Sequence, residues 1–285
     1  MKHLFLAILI SLCSFSLTFG QDSLFSAAVA VREIPNPDWV EISGMAASKL
    51  NPDWLYIHND SGGENAVFVM STSGEELGKV ILEGVSNRDW EDIAVGPGPE
   101  GKSYVYVAEI GDNLAQHEEI LIYRFPEPKQ AISTVKPETA RFQFPEGAMD
   151  AEAIFVDPIS GKVYLISKRN QENTLFEMPT QAFEQEGPID LVEMGTFPFT
   201  STVAADISQA GDAILVKTYF AVYYWQRESG TGIPETLAKP FKILLYTPEP
   251  QGESIAFQAD GKGYFTLSEE RFEIKPVLYH YLKQK

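Results

Sequence analysis

One strand signature recurs five times along this chain, and a unit that returns at intervals of about 50 residues confines the fold to architectures built by radial repetition. The copies read Ile42-Ser43-Gly44-Met45-Ala46, Trp90-Glu91-Asp92-Ile93-Ala94, Ala151-Glu152-Ala153-Ile154-Phe155, Ala204-Ala205-Asp206-Ile207-Ser208 and Gly252-Glu253-Ser254-Ile255-Ala256. Their second residues, Ser43, Glu91, Glu152, Ala205 and Glu253, set a register with steps of 48, 61, 53 and 48 residues. An open β-sandwich gives no reason for five copies in phase.

Each copy continues through a turn into a second strand rich in aromatic and β-branched residues, such as Tyr104-Val105-Tyr106-Val107 and Val163-Tyr164-Leu165-Ile166. A third strand follows in every copy, as in Ala66-Val67-Phe68-Val69-Met70 and Ala221-Val222-Tyr223-Tyr224-Trp225. Turn formers stand between them, Ser160-Gly161 and Asp260-Gly261 among others. The first four copies supply a fourth strand near 77–82, 139–144, 190–197 and 241–246, and the fifth ends without one. Segment 26–34 has strand character, so the expected fold is an all-β, five-bladed β-propeller whose ring is closed by an N-terminal strand in the last blade. A six-bladed ring with one long insertion is the alternative.

Residues 1–20 have a short basic start, an apolar run and a small-residue end, the layout of a cleavable export signal rather than a membrane span. The single cysteine, Cys13, lies inside this leader behind Leu12, where a lipid-anchoring cysteine needs a small residue. Residues 21–285 then form one domain without a disulfide, held by a sizeable core. The expected location is secreted or periplasmic, and the expected state monomeric. A formal charge of −18 disfavours nucleic acid and attracts cations, calcium above all in an exported protein.

In a propeller the innermost strands begin, and the second strands end, at one face of the ring. The first set brings Ser43, Glu91, Glu152 and Glu253 around the axis. Carboxylates about 6 Å apart repel by roughly 3 kcal/mol per pair at an effective dielectric of about 20, so a cation or raised pKa values must offset them. Oxygen donors without Cys or His point to Ca²⁺. Acids that cap turns or hold channel waters are the bland alternative. The second set offers His58, Asp60, Asp112, Lys168, Arg169 and Lys217 at strand ends. Asp60 and Asp112 are candidate bases; His58, Lys168, Arg169 and Lys217 are candidate contacts for a small anionic ligand.

These residues resemble the calcium-activated nucleotidases, the apyrases, whose five inner strands offer Ser, Glu, Glu, Ser and Glu to a central Ca²⁺. Here the series reads Ser43, Glu91, Glu152, Ala205 and Glu253, one hydroxyl short. Leu55-Tyr56-Ile57-His58-Asn59-Asp60 is similar to the family's strand ending in an essential aspartate. Leu165-Ile166-Ser167-Lys168-Arg169 is similar to its strand ending in paired arginines, with Lys168 in place of the first. The resemblance spans about a quarter of the chain and implies a five-bladed ring around one calcium. The chain more closely resembles exported bacterial proteins of unassigned function that carry Asn-Asp-Ser-Gly, Trp-Glu-Asp-Ile-Ala and Ile-Gly-Asp-Asn in this order.

No serine-nucleophile elbow, zinc-binding His pair or phosphate-cradling glycine loop is present. Two functions remain. One is a binding module that recognises a ligand or an extracellular or periplasmic partner on its loop face, with calcium stiffening the hub. The other is a calcium-dependent hydrolase of phosphate esters or anhydrides.

Overall fold

The computed structural model describes residues 24–284; the expected leader, 1–20, lies outside the described residues. Five small sheets form the blades of a propeller. Their innermost strands are Ile42–Ala47, Trp90–Pro97, Ala151–Val156, Thr202–Ile207 and Ser254–Phe257, each packed against the next around a ring that closes from fifth to first. Second strands run Trp54–Asn59, Ser103–Glu109, Val163–Ser167, Ala213–Thr218 and Gly263–Leu267, and third strands Ala66–Ser71, Ile120–Pro126, Thr174–Met178, Val222–Gln226 and Val277–Leu282. The ring is five-bladed, and the six-bladed alternative falls.

Alternation along these strands explains why they read as continuous apolar runs. Each blade is buried on both faces, so successive side chains enter different seams. In the first blade Ala46 and Tyr56 pack towards Ile93 and Val107 of the second, while Met45, Leu55 and Ile57 pack towards Phe265 and Leu278 of the fifth. Equivalent clusters fill the other three seams. Covering every seam in this way is how a ring of small sheets holds together without a disulfide.

The fifth blade is completed from the N-terminal side. Val29–Glu33 pairs antiparallel with Val277–Leu282, Val29 opposite His280 and Glu33 opposite Val277. Phe25 forms a bridge with Lys283 and buries its ring edge-on against Tyr264, centroids 4.9 Å apart. Two further edges are covered by chain from the following blade: Ser133–Val135 adds in parallel to Glu76–Leu82 of the first, and Ile189–Asp190 to Glu138–Gln143 of the second.

At the start of four inner strands the ladder slips by one residue. Pairing jumps from Ile42 to Gly44, Trp90 to Asp92, Ala151 to Ala153 and Thr202 to Ala204. The residues left out are Ser43, Glu91, Glu152 and Val203. The fourth-blade register residue is therefore Val203, not Ala205. Asp206-Ile207 imitates Asp92-Ile93 in sequence and sits one pleat further along its strand.

Inner strands present backbone amides to the axis, where no further strand can accept them. Asp92 supplies acceptors: its carboxylate takes the N–H of Ile93 and Ile154 at 2.9 Å and of Ala205 at 3.4 Å, so one side chain joins three blades. Asp206 takes Ile207 at 2.8 Å and Phe257 at 2.6 Å. Beyond them Gln209 Nε2 donates to the Ser48 carbonyl at 3.2 Å, tying the fourth blade to the first across the far end.

Removing residues 24–33 strips the outer edge of Val277–Leu282 and uncovers Tyr264. The expected result is a lower Tm and concentration-dependent association in size-exclusion chromatography, because an unpaired strand edge recruits another chain. An unchanged Tm and elution volume would show that this strand does not close the ring.

Candidate functional site

A bulge bends its strand and re-aims the side chain it expels. Ser43, Glu91 and Glu152 are such residues, and Glu253 immediately precedes the fifth inner strand. All four are buried, and they gather at the end of the channel where the second strands finish. Ser43 Oγ donates to the Glu91 carbonyl at 2.6 Å. Carboxylate oxygens of Glu91, Asp150 and Glu152 lie within 4.8 Å of one another, and so do those of Asp60, Asp89 and Glu91. Glu91 belongs to both groups. Glu253 joins through Lys168, whose Nζ pairs with Glu152 and lies 3.8 Å from Glu253 Oε1, while the Tyr219 hydroxyl donates to the same Glu253 oxygen.

Asp89 and Asp150 were not singled out from the sequence, although a signal was present. Each stands two residues before a register glutamate, in Asp89-Trp90-Glu91 and Asp150-Ala151-Glu152. Backbone must approach closely for them to meet. A Cβ on Gly111 would lie 2.1 Å from Glu91 Oε1 and 2.5 Å from Asp89 Cγ, so only glycine fits there.

Crowding of like charges in a desolvated mouth decides the protonation. Burial, then Asp89 and Glu253, pushes Asp60 up to about 7. Burial and the neighbouring Glu253 push Glu269 up to about 8. Burial raises Asp89, and it raises Glu91 and Glu152 well above the usual carboxylate range. Burial opposes the charge on Lys168, but Glu152 and Glu253 overcome it and raise that lysine. Asp60 Oδ1 and Glu152 Oε2 are buried and accept no hydrogen bond among the described residues. An all-oxygen donor set with free lone pairs suits a hard divalent cation.

The geometry changes several expected roles. Asp112 spends both oxygens on its own loop, accepting Gln116 N–H at 2.8 Å and His117 N–H at 2.7 Å, while its amide donates to Asp150 Oδ1 at 2.8 Å. It fixes Asp150 and is not a free base. His58 is fully buried, edge-on to Trp90, and burial pushes it down to about 4. Its Nε2 would lie 2.3 Å from a Cβ at position 44, so Gly44 makes room for a core histidine rather than a ligand contact. Lys217 is also fully buried, donating to the Gly252 carbonyl beneath the Tyr246 ring; burial, against Glu249 and Glu253, pushes it down to about 8. It positions the segment that carries Glu253. Arg169 is half exposed and pairs through Nε with Asp150 at 2.5 Å.

Cavities of about 790 and 230 Å³ open at the opposite end, among turns 97–101 and 158–161 and turns 208–212 and 259–261. Neither gathers a set of buried charges, and the carboxylate mouth is the site with chemistry.

No protein-family model matches the sequence, and no curated protein matches it. Among solved structures the chain is similar to one described as a nidogen/laminin complex, with a TM-score of 0.46 and 11% identity over 81% of this chain and 73% of that one. It is also similar to a glucose dehydrogenase, with a TM-score of 0.49 and 9% identity over 90% and 98%. Neither likeness bears on what this chain does. Among the described residues no helix is long and apolar enough to cross a membrane.

The raised acids set the sign of a pH dependence. Unfolded carboxyls release their protons near pH 4, whereas Asp60 and Glu269 in the folded protein hold theirs to about 7 and about 8. Through these acids the folded state binds more protons in that window, so stability falls as pH rises from about 5 to about 8; His58, held neutral by burial, works the other way below about 6.5 and is outnumbered there by the raised acids. Metal-free Tm is expected to decline over this range, with Asp60→Asn flattening the slope near 7 and Glu269→Gln near 8. A Tm that rises with pH would contradict the assignment.

Proposed function

We propose that this protein is a binding module built around a calcium centre at the mouth of its channel, acting outside the cell or in the periplasm. The observation that carries the reading is the pair of carboxylate triads sharing Glu91, each with its oxygens within 4.8 Å. Asp60, Asp89 and Glu91 would be the principal ligands, with Asp150 and Glu152 alongside and Ser43 supporting Glu91. This set differs from the one expected from sequence: Glu253 falls outside both groups and accepts from Tyr219, while Asp60, Asp89 and Asp150 join. Calcium suits six to eight oxygen ligands and flexible geometry, and bound Ca²⁺ would reverse the cost of crowding these charges. The compartment follows from the leader-like residues 1–20.

A second reading, calcium-dependent hydrolysis of a phosphate ester or anhydride, is favoured by one observation. Asp60, held up to about 7 by burial and its acidic neighbours, has the proton affinity of a general base at neutral pH. Against it stand the basic groups. Lys168 is committed to Glu152 and Glu253, Arg169 to Asp150, and Lys217 is buried, so few cations are left to bind a phosphate. The binding module is preferred for that reason.

Calcium at 100 times its Kd stabilises a folded protein by about 2.7 kcal/mol, or a Tm rise of several degrees for a domain of this size. That rise is expected here, larger for Ca²⁺ than for Mg²⁺, and lost in Glu91→Gln. Identical melting in calcium and in chelator would remove the cation centre. Turnover of nucleoside triphosphates or phosphomonoesters that needs calcium and disappears in Asp60→Asn would instead establish the hydrolase.

A further inference from the structure

Half of the carboxylate mouth already holds an ammonium. Lys168 Nζ pairs with Glu152 and lies 3.8 Å from Glu253. The other half, Asp60, Asp89 and Glu91, offers the same chemistry and makes no ion pair among the described residues. Glu152 Oε2, on a side chain only 2% exposed, accepts nothing. Lys168 lowers Glu91, and Arg88 and His117 lower Asp89, from beyond pairing distance, so the oxygens of these three acids have no paired cation among the described residues.

Large apolar side chains stand exposed among the charged residues on the rim around this mouth. Loops joining second to third strands leave the ring at the same end as the carboxylates. Three of them carry large exposed side chains at their tips: Leu114 in the second blade, Phe220 in the fourth and Phe272 in the fifth, exposed by 74%, 85% and 81%. The fourth and fifth blades are neighbours, and the second lies across the ring, so the tips flank the opening from two sides. They are held in position. Asp112 ties down the loop of Leu114, Thr218 Oγ1 accepts the amide of Ala221 beside Phe220, and Phe272 takes a left-handed φ of 55° inside an Arg271–Ile274 bridge. A bulky residue adopts that backbone only where surrounding bonds impose it.

We propose that this face docks a segment of another protein in which a lysine or arginine is flanked by apolar residues. The basic side chain enters the mouth at Asp60, Asp89 and Glu91, and the flanking residues cover Phe220, Phe272 and Leu114. Charge complementarity selects this occupant. The chain carries −18, a field that repels anionic lipid and nucleic acid alike, although beside Phe272 the acids Glu270 and Glu273 are offset locally by Arg271, whose guanidinium lies 5.7 Å from the Phe272 ring centre. A cation alone would leave the apolar tips unused, whereas exposed aromatic anchors around a charged centre match the anatomy of protein interfaces. The inference rests on the binding-module reading and adds to it that calcium and the partner's basic side chain compete for the same oxygens.

The test uses the full chain and fluorescein-labelled synthetic peptide pools with a fixed central Lys between Leu and Phe residues, read by fluorescence anisotropy. Pools with central Glu and the same flanks, and phosphatidylserine vesicles, are run beside them. Lys-centred pools are expected to bind and Glu-centred pools not to. Phe220→Ser and Phe272→Ser should each weaken binding about tenfold while leaving the calcium-induced Tm shift intact. Asp60→Asn should weaken it too, and added calcium should raise the apparent Kd. Equal binding of both pools, no binding of either, indifference to the Phe variants, or binding of vesicles in place of peptides would overturn the proposal. Peptide failure with the calcium shift intact defeats this inference alone; peptide binding without a calcium shift defeats the cation centre alone.

Discussion

The ring depends on backbone amides that have no strand to meet. Five inner strands converge on an axis too narrow for another sheet, and their inward N–H groups would be left buried and unpaired. Asp92 answers this for three strands at once, and Asp206 for two, so the blades are joined by hydrogen bonds at the hub as well as by apolar seams. With the hub fixed, the bulged residues just beyond it have a fixed direction. Glu91 lies next to Asp92 in sequence, so the group that secures the hub also anchors the mouth.

Electrostatics at that mouth run against the rest of the fold. Apolar seams and satisfied amides favour the compact state, while a concentration of desolvated carboxyls opposes it. Lys168 offsets part of this from inside the molecule, at its own desolvation cost, and Tyr219 shares Glu253 with it. Such an arrangement costs stability and concentrates negative charge at one end of the channel.

Much of this was legible in the sequence, and the failures have identifiable causes. Two-sided burial produced apolar runs that marked the second and third strands, and the missing fourth strand in the last copy pointed to Val29–Glu33. Glu91, Glu152 and Glu253 were visible through recurrence, with Asp60 at a strand end. The fourth-blade register was misread at Ala205 because a bulge consumes one residue and Asp206 imitates Asp92. Segments as short as Ser133–Val135 and Ile189–Asp190 left no trace, since their pairing depends on a blade remote in sequence. His58, Lys217 and Asp112 looked like surface chemistry because residue type alone does not reveal burial or commitment to a loop. Val203, apolar at the register position, shows that only four of the five blades contribute polar side chains there.

The pairing of Phe25 with Lys283 has an orientational meaning. Phe25 stands just before the closing strand and Lys283 just after the third strand, at the extremity away from the carboxylates, because the third strand of that sheet runs from the mouth and the closing strand runs back towards it. Phe25 and Lys283 therefore both stand on the reverse side of the ring from the carboxylates. A propeller tethered through either extremity would turn its acidic opening outward, towards whatever approaches.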